Sequence, residues 1–566
     1  MENISLIESN IDSADKKNLG YERKEKLKNW LKDRHNLIFI LILIFAIVIR
    51  LYYFNLTKSQ PLWWDESDYL AYAKNLAGYP VPWTISSQHA SIYPYLVAFF
   101  FKFGLGEIIA KLFLQLIPSI LTVFLVYFIC NEMYEDKRIG LIASFLMSTF
   151  WLHLFNTVRF HIDVLALFTG LLSIFVFWQG YENKKKIFGK VDQKFAVFIT
   201  VLLVILTYSV RRGYFLFGIF FLVYILTTQK FTSLIKDKYN WISLIFVVVL
   251  ILIVEKTIFS SAGIAGVGGT YYHEEYSITF LPLTVFKEFF LLNQNVWTNI
   301  SFYLFWIGFF ILILNIILSF GYMKKIQKSS ARGDLFSIVA IITTLAFFIF
   351  VLRTPDGIGE SRWYFPLLLG SFIVISRTTL IISDFLKKYN KYLSILMIFI
   401  LIAPVGYYQF KQADGITENR LGSFDGIKQA SLYLEEVSNP EDVIISVAVP
   451  QVMYYAERNV VQPDKLANWN GSGSDLPQEN FLNAVREHPE TKYFLISFSQ
   501  VGHTDWMTKA YGNNGQVAGW EIPFMDTKID FSTGQQDIKK EKTYNDITFN
   551  LINIKNEVFI YEIKRK

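Results

Sequence analysis

The sequence predicts a polytopic α-helical membrane protein with about 11 transmembrane helices and a small C-terminal α/β domain. Three observations lead to this fold class. Hydrophobic residues make up 53% of the 566 positions, and aromatic residues make up 17%. Apolar runs such as 37–54 approach the length of about 20 residues that a helix needs to cross a bilayer core. Residues 411–566 are more polar and have the patterning of an ordinary globular domain.

Eleven apolar segments are expected to cross the membrane. The first follows 36 mostly polar residues, and no signal-peptide cleavage pattern comes after it, which predicts a retained first span. The predicted spans are 37–54, 107–130, 139–156, 162–180, 195–210, 214–229, 241–258, 299–320, 335–352, 363–380 and 392–410.

Lysine and arginine are distributed unevenly between the two sides of these spans. The N-terminal tail, the loops on its side of the membrane and the adjacent Arg377 carry 26 of them, whereas the opposite loops carry 9. Basic residues concentrate on the cytoplasmic side of membrane proteins. We therefore expect a multi-pass protein of the cytoplasmic membrane, with residues 1–36 as a cytoplasmic tail. The membrane domain 37–410 then has a long first external loop at 55–106, and the domain 411–566 lies outside.

Helix-like and strand-like segments alternate in the C-terminal domain. Helices are predicted at 425–437 and 478–487, and strands at 443–449, 492–499 and 556–564. Such alternation is typical of a small α/β domain. No combination of residues within it suggests catalysis.

Composition and motifs exclude other classes of protein. The single cysteine, Cys130, cannot form an intramolecular disulfide and fits a small apolar residue within a span. No Walker-type G-x-x-x-x-G-K-[ST] sequence occurs, and the predicted cytoplasmic loops are short. Neither a nucleotide-binding domain nor a nucleic-acid partner is expected.

The first external loop contains WWDESDY (63–69), in which three acids lie among aromatic residues. One interpretation is that these acids simply face water. The other is that the aromatic neighbours desolvate Asp65 and Glu66, which raises a carboxyl pKa toward the range of a general base. These neighbours are Trp63, Trp64 and Tyr69. Asp68 is expected on the exposed surface of a helix.

Further charged residues lie at the outer ends of later spans. Asp163 begins the fourth span, where capping of the helix is an alternative role. Arg211 and Arg212 form a tight turn between two spans, and Arg353 and Arg362 flank a glycine-containing loop. Arginine is well shaped to bind phosphate, and snorkelling to the lipid headgroups is its alternative role. Unpaired charges are costly near hydrocarbon, so the cluster suggests a function.

The loop 259–298 combines the glycine-rich AGIAGVGGT with YYHEEY. A flexible loop of this kind is suited to gating a cavity at the membrane surface. Metal binding by His273, Glu274 and Glu275 is an alternative with no specific spacing. Solvated loop residues are the simpler interpretation.

The sequence resembles the GT-C membrane glycosyltransferases in the order of these motifs along the chain and in the side of the membrane on which they lie. More narrowly, it resembles the group of dolichyl-phosphate-mannose:protein mannosyltransferases and lipid A aminoarabinose transferases. That group has an acidic motif in the first external loop, matched by Asp65-Glu66, and an acid at the outer start of a later span, matched by Asp163. An Arg-aromatic-x-x-Pro run is matched by RWYFP (362–366), and the resemblance covers about residues 37–410.

The resemblance implies a GT-C-like catalytic domain that transfers a sugar, a mannose-like hexose or a related one, from a polyprenyl-phosphate donor. The acceptor would be a protein, lipid or glycan on the outer face of the membrane. It implies an inverting reaction with Asp65 as general base. Glu66 and Asp163 would tune that base or, with it, hold a divalent cation, which the chemistry does not require.

The remaining site residues follow from the same resemblance. Relatives often have a lysine near the end of the first loop, where this chain has SSQHASIYPY with His89. Binding of the donor phosphate therefore passes to Arg211, Arg212, Arg353 and Arg362. Contacts to the substrates are expected from Trp63, Trp64, Tyr69, His89 and Tyr364.

Two functions of other classes compete with this one. A transporter or flippase of lipid-linked sugars would have charges near span midpoints and pseudo-symmetric halves, whereas the charges here lie at span ends. A non-catalytic envelope assembly protein would bind a partner through its outer domain. Such a protein would tolerate loss of the external acids.

Overall fold

The computed structural model describes residues 25, 28–85, 89–236, 238–259, 298–321, 329–350, 361–471, 473–498, 504–512 and 517–566. Among the described residues up to Arg420, the regular secondary structure is helical. Its helices are α1 (Arg34–Thr57), α2 (Trp64–Ala77), α3 (Tyr93–Lys102), α4 (Glu107–Met133), α5 (Lys137–Thr149), α6 (Trp151–Thr157), α7 (Ile162–Glu182), α8 (Gln193–Val210), α9 (Arg212–Thr228), α10 (Phe231–Lys236), α11 (Lys238–Thr257), α12 (Asn299–Gly321), α13 (Ser329–Phe350), α14 (Arg362–Lys387) and α15 (Lys391–Arg420).

Eight helices in the described ranges are long and apolar enough to cross a membrane, and the bent pair α5–α6 adds a ninth. The eight are α1, α4, α7, α8, α12, α13, α14 and α15. Helix α9 is apolar but shorter. Each of the eleven predicted spans overlaps a helix in the described residues, and the predicted class of polytopic helical membrane protein is confirmed. The last of these helices continues to Arg420, beyond the predicted end of the span at 410.

The third predicted span, 139–156, is two helices that meet at an angle of 55°. The break lies at Phe150, whose backbone leaves the helical region (φ −59°, ψ 112°). Buried Arg50 of α1 donates hydrogen bonds to the carbonyls of Met147 (3.3 Å) and Ser148 (3.1 Å) in the last turn of α5. These carbonyls have no helical partner, and the guanidinium replaces the missing donors.

The first loop contains the helices α2 and α3. Glu66, in the first turn of α2, accepts the backbone N–H of Trp63 at 2.9 Å, which caps the helix. The helix ends where Gly78 takes a left-handed conformation (φ 92°), which glycine adopts without steric cost. The acids of WWDESDY therefore lie in the first turns of a well-delimited helix.

The C-terminal region is a mixed α/β unit. Its helices are α16 (Asp425–Val437), α17 (Val449–Ala456), α18 (Pro463–Leu466) and α19 (Gln478–Glu487). Its strands are β1 (Val443–Ile445), β2 (Asn459–Val461), β3 (Thr491–Ser497), β4 (Lys509–Tyr511), β5 (Gly519–Ile522), β6 (Thr527–Asp530), β7 (Gln536–Asp537), β8 (Glu541–Tyr544), β9 (Ile547–Lys555) and β10 (Val558–Arg565). One sheet has the order β2-β1-β3-β10-β9-β8, with β1 parallel to its two neighbours, and β4–β7 form a second, antiparallel sheet.

One predicted strand, 443–449, is wrong in its second half. The strand ends at Ile445, and Val449 begins α17. The hydroxyl of Ser446 accepts the backbone N–H of Ala448, and Pro450 occupies the first turn of the helix. Proline there favours a helix start and cannot donate to a sheet, which overrides the apolar β-like pattern.

The C-terminal unit packs on the first loop through α17. Lys74 of α2 donates to the Glu457 carboxylate at 2.7 Å and to the Tyr454 carbonyl at 2.8 Å. The Tyr455 hydroxyl accepts the backbone N–H of Leu62, and the Tyr454 hydroxyl donates to Glu107. Residues of the C-terminal unit therefore lie directly beside α2.

Candidate active site

Asp65 lies in the first turn of α2, and its carboxylate faces Arg362 at the start of α14. The Nη2 of Arg362 donates to Oδ2 of Asp65 at 2.6 Å, and Nε2 of His89 lies 3.8 Å from Oδ1. Burial raises the pKa of the Asp65 carboxyl, but Arg362, with smaller contributions from His89 and Arg211, outweighs it and lowers that pKa. The shift is opposite to the one expected from the sequence, because an arginine 297 residues away in the chain is the main partner.

Asp163 lies in the first turn of α7 and is fully buried. Its carboxylate pairs with Nη1 of Arg211 at 2.8 Å and accepts the Tyr214 hydroxyl at 3.2 Å. The Nε of Arg362 lies 3.9 Å from the same carboxylate. Arg362 therefore stands between Asp65 and Asp163, and two acids and two arginines form one cluster.

The cluster is balanced in charge and partly open. Its two arginine side chains are 16% and 14% exposed, whereas Asp163 has no exposed surface. A guanidinium can bind a phosphate in the same two-pronged way in which it binds a carboxylate. An anion that reaches this cluster would find two guanidinium groups already held in place by carboxylates.

Glu66, the second predicted catalytic acid, is turned away from this cluster. Its Oε2 accepts Nη2 of Arg159 at 2.7 Å, and its Oε1 accepts the backbone N–H of Phe160 at 2.8 Å. Glu66 and Arg159 are both buried, and the guanidinium lies over the Trp63 ring at 4.0 Å. The carboxylate thus joins α2 to the segment that leads into α7, and Trp63 packs on the arginine of this pair.

Two of the predicted aromatic contacts are buried, and one of them, Tyr69, lies near Asp65. Tyr69 is buried, and its ring is 5.8 Å from that of His89. Burial and the Asp65 charge raise the pKa of the Tyr69 hydroxyl well above its usual value, so the hydroxyl stays protonated. Tyr364 is also buried, two residues after Arg362.

Arg212, another predicted arginine, pairs with an acid outside the cluster. Arg212 faces Glu255 of α11, with 3.4 Å between Nη2 and Oε2, and its guanidinium lies over the Phe259 ring. Arg353 lies outside the described residues, as does nearly all of the predicted gating loop 259–298, including His273, Glu274 and Glu275.

Asp68 was expected on an exposed helix surface, and this expectation is wrong. The residue is 5% exposed, and its carboxylate accepts Nε1 of Trp83 and contacts Nδ1 of His89, both at 2.5 Å. Burial lowers the pKa of His89, but the Asp68 hydrogen bond and the two nearby acids outweigh it and raise that pKa. Trp83 comes from a stretch of the first loop without helix or strand, which explains why periodicity gave no sign of this contact.

A divalent cation was considered for Asp65, Glu66 and Asp163. Within the described part of the chain, no three histidine, cysteine or acidic side chains converge in a way that could hold a metal. Each of the three acids instead faces an arginine. In this arrangement the three carboxylates pair with guanidinium groups, and no step below is routed through a metal.

No protein-family model and no curated protein sequence matches this chain, but solved structures do. An oligosaccharyltransferase from Archaeoglobus fulgidus has a TM-score of 0.58 at 12% identity, over 83% of this chain and 70% of that one. ArnT from Cupriavidus metallidurans has a TM-score of 0.55 at 10% identity, over 92% and 97%. The mycobacterial arabinofuranosyltransferase AftD has a TM-score of 0.50 at 9% identity, over 93% and 40%.

Some structures of these neighbours contain ligands. The archaeal oligosaccharyltransferase is known in complex with an inhibitory peptide and a dolichol-phosphate, and also with Zn and sulfate. ArnT is known bound to undecaprenyl phosphate. The neighbours are glycosyltransferases of the class that the sequence resembles, and the chain therefore has the GT-C membrane glycosyltransferase fold.

Proposed function

We propose that the protein is a membrane glycosyltransferase that moves a sugar from a polyprenyl-phosphate carrier to an acceptor on the outer face of the cytoplasmic membrane. The observation that carries the proposal is the cluster in which Asp65, at the start of a first-loop helix, meets Asp163, Arg211 and Arg362 at the ends of apolar helices. A lipid-linked donor suits this position, because its tail stays among the helices while its sugar faces the first loop.

The donor phosphate would bind to Arg211 and Arg362. These guanidinium groups are partly exposed and are held by Asp163 and Asp65. Hydrogen bonds between charged partners are about twice as strong as neutral ones, and they stabilise the negative charge that develops on the departing phosphate. When phosphate shares Arg362, Asp65 loses part of the interaction that lowers its pKa and becomes a stronger base.

The reaction would be a single displacement. The acceptor oxygen bonds to the anomeric carbon with inversion, the bond from that carbon to the phosphate oxygen breaks, and the polyprenyl phosphate leaves. Asp65 takes the acceptor proton as general base. Asp163 orients the arginines, and Glu66 positions α2 through Arg159. The sugar is a mannose-like hexose or a related one, and the acceptor is a protein, lipid or glycan.

The competing functions find less support. The described charges of the cluster lie in the first turns of α2, α7 and α14 and beside the last turn of α8, not at span midpoints as in a transport pathway. An assembly protein would have no need for an arginine shared between two acids. A divalent cation at the site and the gating role of loop 259–298 stay predictions.

The test is incubation of the purified protein with several polyprenyl-phosphate sugars, followed by measurement of which donor is consumed. Asp65→Asn is expected to lower transfer at least about 100-fold, as loss of a general base does, with retention of polyprenyl-phosphate binding. Asp526→Asn, which removes an exposed partner of Lys542, is the matched control and keeps full activity. Full transfer by a folded Asp65→Asn variant would overturn the assignment of the base.

A further inference from the structure

A cavity lies between the first loop and the C-terminal unit, next to the charged cluster. Its volume is about 360 Å³, within the range of about 300–1,000 Å³ that small-molecule sites occupy. Trp64, Trp83, Asp68 and His89 line it from the first loop. On the opposite side it is lined by residues of α17, β2 and the segment after β2.

The wall formed by the first loop is held rigid by Asp68. This buried carboxylate binds the indole N–H of Trp83 and Nδ1 of His89 at once. The side chain of Asn75 donates to the Trp83 carbonyl at 2.8 Å, which fixes the backbone there as well. Side chains locked by such hydrogen bonds lose little freedom when a ligand binds.

His89 connects the cavity with the charged cluster. One edge of its ring contacts Asp68 inside the cavity wall, and Nε2 on the other edge lies 3.8 Å from Asp65. Only the His89 ring would therefore separate a hydroxyl group bound in the cavity beside it from the proposed base, Asp65. The opposite wall is aliphatic at Val460 and Val461 and polar at Gln462 and Lys465.

We propose that this cavity binds a saccharide, and that this saccharide is the acceptor of the proposed transfer. A sugar ring has C–H groups on its face and hydroxyl groups around its edge. The indole rings of Trp64 and Trp83 offer apolar surfaces for the face, and Asp68, His89 and Gln462 offer hydrogen bonds for the edge. The acceptor role rests on the proposed function, whereas saccharide binding does not.

A peptide acceptor is the alternative occupant. Strand β2 is the edge of its sheet, and an extended peptide can add to such an edge. However, β2 has only three residues, and the fixed part of the wall consists of indole and imidazole rings rather than backbone groups. The observations favour the saccharide.

The experiment measures binding to the full-length protein in detergent, without donor. The probes are neutral mannose and glucose oligosaccharides and serine- or threonine-containing peptides, with tryptophan fluorescence as the readout. Val461→Trp fills the cavity and is expected to weaken oligosaccharide binding at least about tenfold. Asn459→Trp, at the exposed other end of β2, is the matched control and binds as the unaltered protein does. Trp64→Ala is a second variant, for which Trp64→Phe restores binding.

Undecaprenyl-phosphate binding, measured in parallel, separates the two proposals. Oligosaccharide binding that Val461→Trp and Trp64→Ala both weaken, with undecaprenyl-phosphate affinity unchanged, supports the cavity. Binding of peptides alone, or oligosaccharide binding that neither variant changes, overturns it. If the protein binds saccharide in the cavity but no undecaprenyl phosphate, the proposed function fails and the saccharide site stands.

Discussion

At the scale of single residues, the role of each acid is decided by the arginine that faces it. Asp65 faces Arg362 in a partly open cluster, whereas Glu66, its neighbour in the chain, faces Arg159 in a closed one. Adjacent residues on a helix point in directions about 100° apart, so the two carboxylates face different parts of the structure. The motif Asp65-Glu66 therefore contains one candidate for chemistry and one for positioning.

Arg362→Gln is expected to shift the pH dependence of transfer. Arg362 is the largest contribution that lowers the pKa of Asp65, so its loss raises that pKa. A base works above its pKa and is protonated as the pH falls through it, so the acidic limb of the kcat/KM profile moves to higher pH. Arg212→Gln, which removes a partner of Glu255 instead, leaves that limb in place. Identical acidic limbs in both variants would argue against Asp65 as base.

Glu66→Gln is expected to destabilise the protein. The change leaves the Arg159 guanidinium buried without its carboxylate, and breaking a buried ion pair costs about 3–5 kcal/mol. Thermal unfolding in detergent should therefore occur at a clearly lower temperature, and Asp65→Asn, at a partly exposed residue, should change it less. If Glu66→Gln unfolds like the unaltered protein but has no activity, Glu66 acts in the chemistry itself.

At the scale of elements, helix ends bring the site together. Asp65, Asp163 and Arg362 each lie at the start of a helix, and Arg211 follows directly after the end of α8. The start of a helix carries a partial positive charge, which stabilises carboxylates and also favours the approach of a phosphate. Helix ends also meet at the break between α5 and α6, where Arg50 binds the free carbonyls at the end of α5.

Arg50→Met is expected to weaken the fold at this break. In addition to the two carbonyls in α5, the Arg50 guanidinium binds the Ser119 hydroxyl at 2.7 Å and contacts Nδ1 of His153 at 3.1 Å. Unpaired buried polar groups cost about 1–3 kcal/mol each, so the free energy of unfolding should fall by at least about 2 kcal/mol. Ile44→Met, at an exposed position of α1, is the matched control. Equal unfolding of both variants would show that the break does not need Arg50.

At the scale of the whole molecule, the C-terminal unit is part of the surroundings of the site. It packs on α2 through Tyr454, Tyr455 and Glu457 and supplies one wall of the cavity. The sequence predicted a separate domain with no catalytic residues of its own. In the structure, this domain contributes a surface that packs on α2 of the first loop and lines one side of the cavity.

Glu457→Lys is expected to loosen this packing. The new charge faces Lys74, whose side chain is only 15% exposed, and like charges replace an ion pair. Limited proteolysis should cut the chain near residues 411–424 faster, and the double variant Lys74→Glu with Glu457→Lys should reverse part of the effect. Glu487→Lys, at an exposed position on α19, is the control. If Glu457→Lys is cut no faster than this control, the ion pair does not hold the two parts together.

The sequence by itself determined the membrane class, the helical segments and all four charged residues of the cluster as candidates, because hydropathy and charge are local properties of the chain. Three contacts join residues that are far apart in the chain or lie on loops without a periodic pattern. They are the ion pair of Asp65 with Arg362, the ion pair of Glu66 with Arg159 and the hydrogen bond of buried Asp68 with Trp83. Only the tertiary structure decided these contacts. Side-chain partners, and with them the pKa of Asp65, depend on how helices pack, which no local pattern encodes.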